Sequence, residues 1–227
     1  MVQFNPEKTI VPLLGIDSNN NIKCFLGTAS FVGNPTLLVT AEHVVRDWEG
    51  LFAIVSVLDF NTMHRAELIA KDRNTDLAIL KAPSYTHAQP LQIVEPHEIH
   101  INTPIVCFEY GTTRIQGQEI HLAPATRLGN ITRKINMPQY NKAGEDMFEL
   151  SFAALRGASG SPIMSNYDFK LWGIVIANVN YHLLPAQIVS VLDEKNQILE
   201  ETNFMLPQGL AVNAKHIKSM YEQYKNY

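Results

Sequence analysis

Cysteine is scarce in this sequence, with only Cys24 and Cys107 among 227 residues. Two cysteines so far apart in sequence do not make the disulfide framework typical of small secreted domains. Both lie in apolar, strand-like segments, so we expect two buried free thiols rather than a disulfide. Few cysteines, expected as free thiols, favour a reducing compartment, and we expect the protein to be cytoplasmic.

Long hydrophobic runs and blocks of a single charge are also missing. No apolar segment approaches the roughly 20 residues that a membrane-spanning helix needs, and the first ten residues lack the pattern of a signal peptide. Lysine and arginine total 18 against 22 aspartates and glutamates, with no basic block. Proteins that bind nucleic acids or anionic membranes carry such blocks. We therefore expect neither nucleic acid nor membrane among the partners.

Short β-type runs, in contrast, recur along the whole chain and are separated by turn residues. A polar stretch at 83–100 divides them into two sets of similar size. Regular short strands with little helix predict an all-β sandwich or barrel. One run extends over 118–135, and the acidic segment 191–203 is interpreted as an exposed excursion. A single helix is predicted at 213–227, with Asn213 as its N-cap.

Ser159 lies in the stretch LRGASGSP, which spans residues 155–162. A serine hydroxyl attacks a carbonyl carbon only when a base removes its proton and a third group orients that base. His43 follows the apolar run TLLVTA, and Asp76 begins the run DLAILK, so both are candidates. The order along the chain is His43, Asp76 and Ser159, which places the base and the acid in the first strand set and the nucleophile in the second. Such a division requires a site in the cleft between the two sets.

The segments TAEHVV, DLAILK and GASGSP resemble the three motifs of the chymotrypsin-like (trypsin-like) serine peptidases. The segment PQGLAVNAKHIKSM is similar to the last strand and helix of the bacterial HtrA-type branch, and GxSGSP is similar to the form in glutamyl endopeptidases. The resemblance implies two six-stranded antiparallel β-barrels with the active site between them, followed by a C-terminal α-helix. Residues 1–90 would form the first barrel, and residues 91–227 the second barrel and the helix.

The resemblance also assigns roles to individual residues. His43 would be the general base and then the general acid, Asp76 its orienting group, and Ser159 the nucleophile, while Asp72 is the one close rival to Asp76. The backbone N–H groups of Gly157 and Ser159 would form the oxyanion hole, because glycine can adopt the angles that aim its N–H at the developing oxyanion. The implied activity is a serine endopeptidase that cleaves proteins or peptides through an acyl-enzyme and uses no cofactor.

By the same resemblance, a pocket receives the side chain that precedes the scissile bond. None of its expected residues is charged, and a cation buried there without a partner would cost several kcal/mol. We therefore expect a small-to-medium apolar side chain before the cut. The expected pocket residues are Phe152, Ala153 (the floor), Ala154, Ile176, Ala177 and Asn178.

Two positions depart from the family pattern. Ala158 stands where members activated by cleavage carry an aspartate that pairs with the new N-terminus, and alanine cannot make this ion pair. We therefore expect the activity to be controlled by ordering of residues 152–157 or by a regulatory protein partner. Ile176 stands where a serine often hydrogen-bonds the triad aspartate. The alternative is therefore a protein of another class, a trypsin-like fold with little or no catalysis that binds a partner.

The sequence does not support two further kinds of site, a metal site and the active site of an α/β-hydrolase. His97, Glu98 and His100, with His121 further along, invite a metal site, but no CxxC or HExxH motif accompanies them. The polar linker is the plainer place for these histidines, so we expect no metal. An α/β-hydrolase would need GxSxG, whereas Ser161 occupies the position two residues after Ser159.

Overall fold

The computed structural model contains two closed β-barrels, each of six strands, and a C-terminal helix. All strand pairs in the barrels are antiparallel, so the predicted fold is confirmed. None of the helices in the described residues is long and apolar enough to cross a membrane. The structure describes residues 4–95, 99–117, 119–136, 146–182, 187–193, 196–202 and 205–227.

The first barrel is formed by the apolar runs of the N-terminal strand set. Its strands are β1 (Ile10–Ile16), β2 (Ile22–Phe31), β3 (Leu37–Ala41), β4 (Leu51–Ser56), β5 (Asp59–Asp72) and β6 (Leu77–Lys81). Their order in the sheet is β1-β2-β3-β6-β5-β4, closed by pairing of β4 with β1. The short helix α1 (Glu42–Arg46) follows β3 directly. Because Ala41 pairs with Leu77, the end of β3 and the start of β6 meet at one rim of the barrel.

The second barrel uses six of the ten strands that follow. The ten strands are β7 (Pro104–Glu109), β8 (Arg114–Gln116), β9 (Glu119–His121), β10 (Ala125–Ile135), β11 (Met147–Leu150), β12 (Pro162–Ser165), β13 (Leu171–His182), β14 (Gln187–Asp193), β15 (Asn196–Thr202) and β16 (Met205–Asn213). The barrel order is β10-β11-β16-β13-β12-β7, and β7 pairs with β10 to close it. Strands β8 and β9 form a separate hairpin, as do β14 and β15.

The strand boundaries differ from the predictions in two places. The run 118–135 contains two strands, β9 and β10, separated by a segment that includes Pro124, which has no N–H to donate to a strand ladder. The segment 191–203 contains the end of β14 and the whole of β15, and these two strands pair along their length. This predicted excursion is therefore part of a separate two-stranded sheet.

The helix α2 (Ala214–Tyr224) and the segment between the barrels both contact the two halves of the molecule. Asn213 caps α2 by accepting a hydrogen bond from the Lys215 N–H at 2.9 Å, as predicted. Helix α2 packs on β13 and β16 of the second barrel and on β6 of the first. In the connecting segment, Leu91 bridges to Val32 and Ile93 to Leu171. The division of the chain at residues 90 and 91 stays a prediction.

The two cysteines are both free thiols, as expected from the sequence. Cys107 is fully buried on β7, whereas Cys24 on β2 is only half-buried, so the prediction of two buried thiols was wrong for Cys24. Burial raises the pKa of both thiols, which disfavours the reactive thiolate.

Candidate active site

Asp76 holds His43 at two points. His43 is the second residue of α1, and Asp76 precedes β6 at the same barrel rim. Oδ2 of Asp76 lies 2.7 Å from the ring Nδ1 of His43, and Oδ1 accepts a hydrogen bond from the His43 N–H at 2.9 Å. An ionised carboxylate can only accept, so Nδ1 carries the hydrogen and Nε2 is left to accept a proton. About a third of the His43 side chain, 34%, is exposed, which leaves the ring within reach of a ligand.

The backbone of Asp76 is in the left-handed region, with φ at +53°. Aspartate tolerates this conformation better than most residues, and strained backbone is common at functional sites. The Asp76 carbonyl accepts a hydrogen bond from the Glu42 N–H at 3.0 Å, so the main chain and the carboxylate both contact α1. The rival Asp72 instead accepts hydrogen bonds from Asn74 and Thr75, and therefore stabilises the turn before Asp76.

A buried carboxylate with exposed arginine partners supports α1 beside His43. Glu42 is fully buried, and its carboxylate accepts a hydrogen bond from Nε of Arg46 one turn later, at 2.7 Å. This hydrogen bond raises the pKa of Arg46, so the guanidinium stays charged. A second guanidinium, that of Arg73, lies 3.5 Å from the other carboxylate oxygen. These contacts compensate a charge that would be costly without a partner.

Ser159 is half-buried in the loop between β11 and β12, where two tight turns follow each other. The Ala158 N–H donates to the Leu155 carbonyl at 2.9 Å, and the Ser161 N–H donates to the Ala158 carbonyl at 3.0 Å. Gly157, within the first turn, has φ of +92°. Glycine adopts this conformation without the steric cost that a side chain would add. The sequence GASG is thus suited to the shape of the loop.

The turn leaves two backbone donors unused. Within the described residues, the N–H groups of Gly157 and Ser159 donate no hydrogen bond. The Arg156 carbonyl accepts a hydrogen bond from the Thr112 N–H at 3.1 Å, which fixes the peptide between Arg156 and Gly157. Because the C=O and N–H of a trans peptide point in opposite directions, the Gly157 N–H points away from Thr112. Two free donors beside a serine suit the stabilisation of an oxyanion.

Thr28, a fully buried residue of β2, fixes this loop to the first barrel. Its N–H donates to the Ser159 carbonyl at 2.9 Å, and its hydroxyl donates to the Gly157 carbonyl at 3.3 Å. The same hydroxyl accepts a hydrogen bond from the Tyr110 N–H at 3.2 Å. A Cβ at Gly160 would collide with the Thr28 carbonyl and the Thr40 hydroxyl, so the loop approaches β2 and β3 closely. Sequence reasoning missed Thr28, although the small residues of GTAS around it are typical of close packing.

Gly27 marks the point where the Ser159 loop meets α1. A Cβ on Gly27 would lie 2.9 Å from the Ser159 carbonyl oxygen and 3.0 Å from Cγ2 of Val44, the residue after His43. The structure thus brings the three predicted catalytic residues into one region. In the described part of the chain the Ser159 hydroxyl makes no hydrogen bond to His43. Such hydrogen bonds are often long without substrate and shorten in the complex.

Two of the residues predicted for the pocket, Asn178 and Ala154, are joined by the Asn178 bridge, defined as two hydrogen bonds between the Asn178 side chain and the main chain of Ala154. The Ala154 N–H donates to Oδ1 and Nδ2 donates to the Ala154 carbonyl, both at 2.8 Å. Phe152 is joined to β16 through its carbonyl, which accepts from the Gly209 N–H. Ala153 between them is half-buried, and Ala177 beside Asn178 is exposed.

Ile176 lies at an irregularity of β13. The register with β16 shifts between Val175 and Ala177, so Ile176 has no direct partner there. Its side chain is buried in the same apolar cluster as Val44. An apolar side chain offers Asp76 no hydrogen bond, which agrees with the departure noted in the sequence.

Of the residues of the candidate metal site, the structure describes His100 and His121. His97 and Glu98 lie outside the described residues, so the expectation of no metal stays a prediction. Among the residues that the structure does describe, no three histidine, cysteine or acidic side chains are grouped closely enough to hold a metal ion.

Comparison with known proteins places these residues in context. A family model described as a trypsin-like peptidase domain matches residues 27–174, a range that contains His43, Asp76 and Ser159. No curated protein matches the sequence significantly. Two solved structures of the HtrA-type protease AlgW with a tripeptide, one of them a variant, are similar in fold, with TM-scores of 0.60 and 0.63. They share 15% and 14% identity, cover 92% and 95% of this chain, and are themselves covered over 57% and 60% of their length.

Proposed function

Since this chain belongs to the trypsin-like peptidase family, we propose that it is a serine endopeptidase that cleaves protein or peptide substrates. The observation that carries the proposal is the contact of Asp76 with both the ring and the backbone of His43, at 2.7 and 2.9 Å. A carboxylate in this position orients the ring, fixes its tautomer and stabilises the imidazolium that forms during catalysis. The AlgW structures contain a tripeptide, and peptide binding by this chain is part of the proposal.

In the proposed reaction, Nε2 of His43 takes the hydroxyl proton of Ser159 as Oγ attacks the carbonyl carbon of the scissile bond. The N–H groups of Gly157 and Ser159 donate to the oxygen that becomes negative, and each such donor is worth about 10²–10³-fold in kcat. His43 then protonates the leaving nitrogen, and the acyl-enzyme forms. Water attacks the ester by the same steps and frees Ser159. No step needs a cofactor.

The Asn178 bridge supports selection of small-to-medium apolar side chains before the cut. Two hydrogen bonds hold the Asn178 amide against Ala154, between the strand and the loop segment that would form the pocket walls. An amide fixed there narrows the space available to a long side chain. Because Phe152, Ala153, Ala154 and Ile176 are uncharged, the pocket offers no partner to lysine, arginine or glutamate.

The second candidate function is a partner-binding module that keeps the fold without cleaving peptides. It is favoured by the apolar Ile176, which offers Asp76 no hydrogen bond, and by the lack, within the described residues, of a hydrogen bond between Ser159 and His43. A fluorophosphonate probe separates the two candidates, because it reacts with an activated serine and not with an ordinary one. We expect labelling of the folded protein at Ser159, lost on boiling and in Ser159→Ala. A folded protein that stays unlabelled would rule out the peptidase and favour the binding module.

A further inference from the structure

A cleft of about 750 Å³ opens beside the turn that carries Gly157. Its walls are residues 23–26 of β2, residues 112–115 at the start of β8, and Arg156 and Gly157. None of the residues predicted for the pocket before the scissile bond lines this cleft. The two recesses therefore lie along different parts of the path that a bound polypeptide would take.

The position of the cleft indicates which part of a substrate would enter it. A polypeptide with one side chain in the pocket at 152–154 has its scissile bond at Ser159. The remaining chain must continue past Gly157, and the cleft begins at that residue. On its far wall, Leu26 precedes Gly27, which borders the Ser159 carbonyl. A substrate segment that continues past Gly157 after the scissile bond would enter this cleft.

Positive charge dominates the cleft walls. Lys23, Arg114 and Arg156 line it, and no aspartate or glutamate among the described residues does. Lys23 is paired with Asp17 at 3.0 Å. Arg114 and Arg156 are exposed and have no ion pair within the residues that the structure describes.

One exposed carboxylate lies on the neighbouring hairpin, outside the residues that line the cleft. On the hairpin of β8 and β9, Glu119 lies 3.9 Å from His121, which is opposite Arg114 in the register. The whole chain carries a net charge of −4, so two unpaired guanidinium groups at one cleft are a local reversal of its charge. A ligand that neutralises them would be negative.

We propose that this cleft binds acidic side chains of the substrate segment that follows the scissile bond, with Arg114 and Arg156 as the selecting residues. The inference rests on the proposed peptidase function. A guanidinium group donates two parallel hydrogen bonds to a carboxylate, which makes arginine a specific partner for aspartate and glutamate. The hydrogen bond from Thr112 to the Arg156 carbonyl fixes the point from which the Arg156 side chain extends. Phe25, Leu26 and Ile115 supply apolar surface for the rest of the segment.

The test uses pairs of internally quenched peptides that are identical except for aspartate or asparagine at the first, second or third residue after the cut. We expect kcat/KM to be about fivefold higher for the best aspartate peptide, the size typical of exposed charge pairs. The preference should disappear in a double variant, Arg114→Gln with Arg156→Gln, and should shrink in about 0.5 M salt. Arg65→Gln removes an exposed arginine of β5 outside the cleft and should retain the preference.

For each variant, the result is the ratio of kcat/KM for the aspartate peptide to kcat/KM for the asparagine peptide. A general loss of turnover lowers both values and leaves this ratio unchanged. Cleavage without any preference would overturn this proposal and leave the peptidase function standing. If no peptide is cleaved, the peptidase function fails, and fluorescence anisotropy of Ser159→Ala protein with labelled peptides of the same sequences tests the cleft alone. Tighter binding of the aspartate peptide, lost in the double variant, supports the proposal, and equal binding overturns it.

Discussion

At the scale of single residues, the proposed chemistry depends most on the carboxylate of Asp76. Asparagine keeps the volume of this side chain and tolerates the left-handed backbone, so Asp76→Asn should fold normally. Its amide cannot hold the same histidine tautomer, and we expect kcat to fall on the order of 10⁴-fold. The measurement is peptide hydrolysis, with thermal denaturation as a check on folding. Asp72→Asn is the matched control, since Asp72 caps the preceding turn without contacting His43, and it should remain active.

Asn178 is the residue that should set the size limit for the side chain before the cut. Asn178→Ala removes both hydrogen bonds to Ala154 and opens the pocket. A randomised peptide library read by mass spectrometry should show small-to-medium apolar residues before the cut for the native protein. In the variant, kcat/KM for phenylalanine at this position should rise about tenfold relative to alanine. Asn180→Ala, at an exposed position two residues along β13, should leave the profile unchanged. Dominant cleavage after lysine, arginine or glutamate would contradict this pocket.

At the scale of elements, β2 holds the turn at Gly157 and Ser159 through the N–H and the hydroxyl of Thr28. Thr28→Val keeps the shape of the side chain but leaves the Gly157 carbonyl and the Tyr110 N–H without their partner. We expect a loss of about 1–3 kcal/mol in the free energy of unfolding and a fall in kcat of about tenfold, because Gly157 shifts. Thr28→Ser keeps the hydroxyl and should stay near the native values. A valine variant that is destabilised but has native kcat would show that Thr28 does not position the turn.

The elements also show what the sequence makes predictable. Apolar runs bounded by turn residues predicted most of the barrel strands, and the motifs around His43 and Asp76 predicted a pair that the structure places in contact. β8 was not predicted, because three residues are too short to display a pattern and the strand depends on β9. The sequence did not predict the role of Thr28, and it predicted Asn178 in the pocket without its hydrogen bonds to Ala154, for another reason. Their partners are distant in sequence, and only the closed barrels bring them together.

At the scale of the whole molecule, Asp146 ties the start of β11 to helix α2. Its side chain is buried, with 3% exposed, and Oδ1 lies 3.0 Å from both Nζ of Lys215 and Nε2 of His216. Burial alone would raise the pKa of Asp146, but the hydrogen bonds and charges of Lys215 and His216 outweigh it and hold the pKa below its ordinary value.

This depressed pKa predicts a loss of stability in acid. The ionised carboxylate stabilises the folded state fully above the unfolded pKa, near about pH 4, and the contribution is lost as the pH falls through the lower folded pKa. Asp146→Asn should therefore lower the midpoint of thermal unfolding at pH 7 and flatten its fall between about pH 5 and 2. Asp47→Asn, at an exposed position, is the control and should keep the native acid profile. Equal profiles for Asp146→Asn and the native protein would contradict this role.

The hydrogen bonds of Thr28 have a consequence for the order of events during synthesis. The ribosome completes the first barrel, with His43 and Asp76, long before it adds Ser159. The turn at Gly157 and Ser159 can make its hydrogen bonds to Thr28 only when the second barrel docks on β2. Proteolytic capacity would thus arise as the last step of folding. A nascent chain would pass through its most exposed and cleavable stage while still unable to digest its own copies.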